Sequence, residues 1–127
     1  MHSLVEGARA ILLESDALQK AALSKDLLQC WRDGSVMEIG LADAPARPNR
    51  PDRPKLLRPR DMPRRRLASE KGRLALIHAI AHIELNAIDL AWDLIIRFTG
   101  AGLPREFYDD WVEVGGDEAR HFNMLQK

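Results

Sequence analysis

The chain has 127 residues, 46% hydrophobic and 30% charged, enough for one soluble domain with a modest core. Its 19 Lys and Arg balance 19 Asp and Glu, so no global charge directs it to nucleic acid or to an acidic membrane. The single cysteine excludes an internal disulfide, MHSLVEGARA lacks the pattern of a signal peptide, and AIDLAWDLII is broken by Asp89 and Asp93 before reaching the ~18 apolar residues of a spanning helix, which together point to a cytoplasmic protein without a membrane segment.

In chain order, Leu4, Ala8, Ile11 and Leu12 recur at helical spacing from Ser3 to about Glu14, and Ser3 with Glu6 forms a capping box. Asp16 caps a second helix, whose Leu18, Ala21, Ala22, Lys25, Leu28 and Trp31 share a face until Gly34 stops it. Residues 1–34 therefore read as a helical hairpin. Cys30, near its end, is read as a small apolar filler, since nothing beside it in sequence activates a thiol.

Residues 35–68 lose all periodicity. Six of the seven prolines fall between Pro45 and Pro63, and proline removes donors and disfavours helix before it, so the stretch reads as an extended strap. From Arg47 to Arg73 there are 11 Lys or Arg against three acids. Such a segment can bind phosphate, or it can be a solvated strap that pairs with acids on the helices; no aromatic is interleaved to stack bases.

Ser69 caps a long helix that runs to about Phe98, some 45 Å at ~1.5 Å per residue, a length typical of bundles. Gly100 and Gly102 end it, and Pro104 fits the first turn of an antiparallel successor reaching Gln126. Ile77, Ile80, Ala81, Glu84, Ala87, Ile88, Ala91 and Ile95 form an apolar stripe with a carboxylate in its middle. On the successor, Trp111, Val114, Glu118, His121, Phe122 and Leu125 form the matching stripe, with Glu118 and His121 one turn apart. Isolated buried carboxylates are costly, so two of them plus an imidazole facing one core suggest a shared cation. One Glu and one Glu-x-x-His are half of the ligand set of di-iron or di-manganese four-helix bundles. A metal-free hydrogen-bonded cluster is equally open on spacing alone. Gly115 and Gly116 mark either a close helix approach, a distortion beside the ligands, or nothing functional.

The remaining candidates read as structural. His78 and His82 point roughly 120 to 160 degrees away from Glu84 and cannot share its metal. Asp89, Asp93, Asp109, Asp110 and Asp117 read as solvent-facing or capping charges, and Tyr108 and Trp111 as core aromatics. Phosphate loops, nucleophile elbows and cysteine clusters are absent from the sequence, so no catalytic residue is assigned and no nucleotide cofactor is expected.

The segments MPRRRLASEKGRLALIHAIAHIELNAIDLAWDLIIRF and LPREFYDDWVEVGGDEARHF resemble the ferritin-like "domain of unknown function 455" family of bacteria and some eukaryotes, with AHIELNAIDLA and FYDDWV…DEARHF as specific motifs. The similarity covers most of the chain. It implies an all-α, ferritin-like helical bundle in which Glu84 is a terminal carboxylate, Glu118 a bridging carboxylate and His121 the imidazole ligand. By ligand arrangement the family is similar to a tRNA hydroxylase and to rubrerythrins. It is roughly twice as long as this chain, and its second Glu and Glu-x-x-His have no counterpart here.

The expectation is a single, apparently truncated domain: a hairpin (1–34), a Pro/Arg-rich strap (35–68) and the first helix pair of a ferritin-like bundle (69–127). Its metal ligands are Glu84, Glu118 and His121, for two iron ions or, second, manganese. The resemblance implies oxidoreductase or hydroxylase chemistry with dioxygen or peroxide, completed by the missing half or by a homodimer. The alternatives are a non-enzymatic module that docks RNA or protein through the strap, and an inactive half-domain; DNA is not an expected partner.

Overall fold

The computed structural model describes residues 3–41, 43–49 and 69–126. The arginine-rich part of the strap, with Arg64, Arg65 and Arg66, lies outside the described residues. Among those described the chain is all-α, with helices α1 (Leu4–Leu13), α2 (Ala17–Asp33), α3 (Glu70–Arg97) and α4 (Arg105–Leu125), and a 3-10 turn at Thr99–Ala101.

Local chemistry sets these boundaries. The Ser3 hydroxyl accepts from the Glu6 backbone N–H, Asp16 from that of Gln19 and Ser69 from that of Gly72, so three helices begin on side-chain caps. Gly34 ends α2 in the left-handed conformation at φ 82°, and Pro104 stands just before α4.

Helices α3 and α4 form an antiparallel hairpin, seen in Phe98 against Phe107 at one end and Glu84 against His121 toward the other. Helix α2 runs antiparallel to α4 and parallel to α3: the Trp31 indole N–H donates to Asp109 at 2.8 Å, Arg32 forks onto Glu113, and Lys20 reaches Asp89. Helix α1 covers α3 and α2, placing Leu4, Ile11 and Leu12 in one core with Ile88, Trp92 and Ile95. Residues 35–41 and 43–49, without helical structure, run along α1. Leu4 and Val5 donate to the carbonyls of Glu38 and Ile39, and the Asn49 backbone N–H to that of Leu12.

Three expectations about faces are corrected. On α2, Leu18 is 54% exposed and Ala22 and Lys25 are exposed as well. The buried face is instead Lys20, Ala21, Ser24, Leu27, Leu28 and Trp31. Asp89 is not a solvent-facing charge. It is 3% exposed, and its Oδ1 lies 2.6 Å from the Nζ of fully buried Lys20, which also donates to the Asn49 carbonyl. On α4 the deepest line is Tyr108, Val112, Gly115, Gly116, Ala119 and Phe122, rotated from the expected stripe, so Trp111, Val114 and Leu125 are half-buried and His121 is exposed. The glycines cause the rotation. A Cβ on Gly115 would stand 2.7 Å from the Trp92 ring and one on Gly116 2.2 Å from Leu28 Cδ2, so α4 seats its bare backbone on α3 and α2. This resolves the glycine pair as a close helix approach.

By length and composition α3 could cross a membrane, since an 18-residue window averages a hydropathy of 1.4 with 22% of it buried. Helices that bury apolar faces against other helices pass the same test.

Candidate metal centre

Glu84 lies midway along α3, at the border between two faces. One turn away on one side are buried Ala81 and Ile88; on the other are half-buried Ile80 and Ala87. Its side chain is 18% exposed. Across the hairpin, Glu118 and His121 occupy successive turns of α4, 24% and 46% exposed. The seating of Gly115 on Trp92, one turn before Glu118, sets how closely α4 approaches α3 at this height.

The three side chains expected to share a cation do converge. His121 Nδ1 lies 3.8 Å from Glu84 Oε2 and 3.6 Å from Glu118 Oε2, and one ligand atom from each falls within 4.8 Å of the others. These separations exceed hydrogen-bond length, so the groups face a common point without bonding to one another. Glu84 Oε2 is buried and has no hydrogen-bond donor. An acceptor taken from water and left without a donor costs about 1–3 kcal/mol, more if charged, and a cation is one partner that would satisfy this oxygen. Two carboxylates and an imidazole form an oxygen and nitrogen donor set suited to iron, manganese or zinc.

His78 and His82 take no part in this cluster; His78 is exposed and His82 half-buried on another face of α3. Tyr108 is core, 2% exposed, with its hydroxyl 3.4 Å from the Phe98 carbonyl. Cys30 is a free thiol packed half-buried against the core. The polar core was missed by the sequence reading. The Trp92 indole N–H donates to Ser24 Oγ at 3.0 Å, whose hydroxyl donates to the Lys20 carbonyl at 2.9 Å. A signal was present, because Asp89 falls in helical register with apolar Leu85, Trp92 and Ile96.

Residues 13–127 match the family described as "Protein of unknown function (DUF455)". The chain belongs to this family. A DUF455-type chain thus accounts for α2, the strap, α3 and α4 together. An "Uncharacterized protein" of Haemophilus influenzae (strain ATCC 51907 / DSM 11121 / KW20 / Rd) is 42% identical over 84 residues, covering 61% of this chain and 28% of that protein. The chain thus spans well under half the length of that curated relative. No solved structure matches it.

Proposed function

We propose that this chain provides half of a non-haem di-metal carboxylate centre in a ferritin-like helical bundle, with Glu84, Glu118 and His121 as ligands. The convergence of the three donors around the unbonded, buried Glu84 Oε2 supports this reading. Iron, or manganese as the second choice, would supply redox chemistry for oxidation or hydroxylation with dioxygen or peroxide.

The chain's own residues define the rest. Glu84 and Glu118 would hold a cation between them from neighbouring helices, and His121 would add a nitrogen from the more open side. Ala81, Ile88 and Phe122, one turn from Glu84 or Glu118 on their own helices, are buried on the core side of the cluster, while its other side is open to solvent. Among the described residues three donors converge, fewer than two ions require.

Anaerobic titration with iron(II), and with cobalt(II) as a spectroscopic substitute, tests the reading. Glu84→Ala and His121→Ala should each lower affinity about tenfold or more with unchanged helical circular dichroism. Affinity equal to wild type in both variants would remove these residues as ligands.

A further inference from the structure

Residues 38–41 and 43–49 grip α1 at both of its ends. At the amino end the backbone N–H groups of Leu4 and Val5 donate to the carbonyls of Glu38 at 2.8 Å and Ile39 at 2.9 Å, and Ser3 stands beside Glu38 in a parallel bridge. Gly40 follows at φ 80°, so close that a Cβ there would lie 2.5 Å from Ser3 Oγ. At the carboxyl end one residue, Asn49, serves two of the carbonyls that a helix terminus leaves without intrahelical partners. Its backbone N–H donates to Leu12 at 2.7 Å and its side-chain amide to Leu13. The Asn49 carbonyl in turn accepts at 2.8 Å from Lys20 Nζ, which lies 2.6 Å from Asp89 Oδ1. Asn49 therefore joins α1, α2 and α3 at one point. Between the two grips, Arg97 at the end of α3 donates to the Pro45 carbonyl at 3.1 Å.

We infer that α1 and this segment form a clasp that opens and closes as one unit over α2, α3 and α4, with Asn49 as its catch and the Lys20 amine beneath it. Helix α1 has ten residues, too few to persist in water alone. Both of its ends are bonded to the segment, and the segment, which has no helix of its own, is ordered by those same bonds. Loosening either grip therefore weakens the other, which is how a cooperative local opening unit behaves. Lys20 is fully buried, and the Asn49 carbonyl is one of the oxygens that hold its amine, so release of the catch opens a way for water to it. The α3–α4 hairpin keeps its own seat of Gly115 on Trp92, so Glu84, Glu118 and His121 stay in place while the clasp is open.

Native-state hydrogen exchange of the full chain, with acetylation of Lys20 by acetic anhydride read by mass spectrometry, tests the clasp in variants that loosen opposite ends. Asn49→Ala removes the bond to Leu13 and keeps both backbone bonds. Gly40→Ala forces a side chain onto Ser3 at a positive φ. Each should speed exchange at the end it does not touch: Asn49→Ala at the Leu4 and Val5 amides, Gly40→Ala at the Asn49 amide, by about fivefold or more. Lys20 acetylation should quicken by a similar factor in both, while the Val112 and Ala119 amides of α4 keep their wild-type rates. Exchange quickened only at the altered end would reduce the two grips to independent caps and overturn the clasp. Equal quickening in α4 would mean that α1 leaves only when the whole chain unfolds, and would overturn it as well. Unchanged Lys20 acetylation in both variants would reject Asn49 as the catch over the amine.

Discussion

Lys20 Nζ and Asp89 Oδ1 lie 2.6 Å apart with both side chains almost wholly removed from water, tying α2 to α3 through a charge pair inside a largely apolar core. Desolvation offsets much of such a pair's attraction, but removing one partner strands the other. Asp89→Ala should therefore cost about 3–5 kcal/mol in urea unfolding, whereas Lys20→Met with Asp89→Leu should lie close to wild type. A single variant as stable as wild type would show that the pair is not buried as described.

Gly116 is the closest of the helix seats. Gly116→Ala places a methyl 2.2 Å from Leu28 Cδ2 and should destabilise by about 1–3 kcal/mol, with Leu28→Ala restoring part of the loss in the double variant. Gly115→Ala meets the rigid Trp92 ring, where repacking is harder. Thermal melts of the four variants measure this coupling, and strictly additive effects at Gly116 and Leu28 would contradict the contact.

Ser24 stands between the Trp92 indole and the Lys20 carbonyl. Ser24→Ala leaves a buried indole N–H without its acceptor and should cost about 1–3 kcal/mol. Trp92 fluorescence in the same samples should change as well; an unaltered spectrum and midpoint would count against the bond.

On the metal reading proposed above, Glu84 links stability and metal affinity with opposite signs. In metal-free protein, Glu84→Leu removes the unbonded acceptor and should stabilise by about 1 kcal/mol, while metal uptake is lost. Wild type should regain stability on adding iron(II) or cobalt(II), since a ligand bound only by the folded state raises its stability. A metal-free Glu84→Leu less stable than wild type would mean that the carboxylate is already satisfied within the fold.

Much of this was legible in the sequence because it rests on local chemistry. Ser3, Asp16, Ser69 and Gly34 mark helix ends through bonds and dihedrals of their own neighbourhoods, and periodicity locates all four helices. The convergence of Glu84, Glu118 and His121 was legible because ionisable groups interrupt apolar stripes. The rotation of α4 was not legible, since it depends on two glycines meeting Trp92 and Leu28 from other helices. Asp89 was misplaced and Lys20 passed over because each charge alone reads as solvent-facing, and only the tertiary fold brings the two together. On α3, Ile77 of the expected core stripe is exposed and Ile80 and Ala87 are half-buried, because helical spacing alone does not separate two apolar faces of one helix.

The connection between α3 and α4, residues 98–104, is short, whereas Lys20 and Asp89 are separated by 69 positions. Closing the short loop costs little chain entropy, so the α3–α4 hairpin should form early in refolding and the amino-terminal hairpin should lock on afterwards. Substitutions at the buried charge pair would then act after the rate-limiting barrier, speeding unfolding while leaving the refolding arm of a chevron plot near its wild-type position.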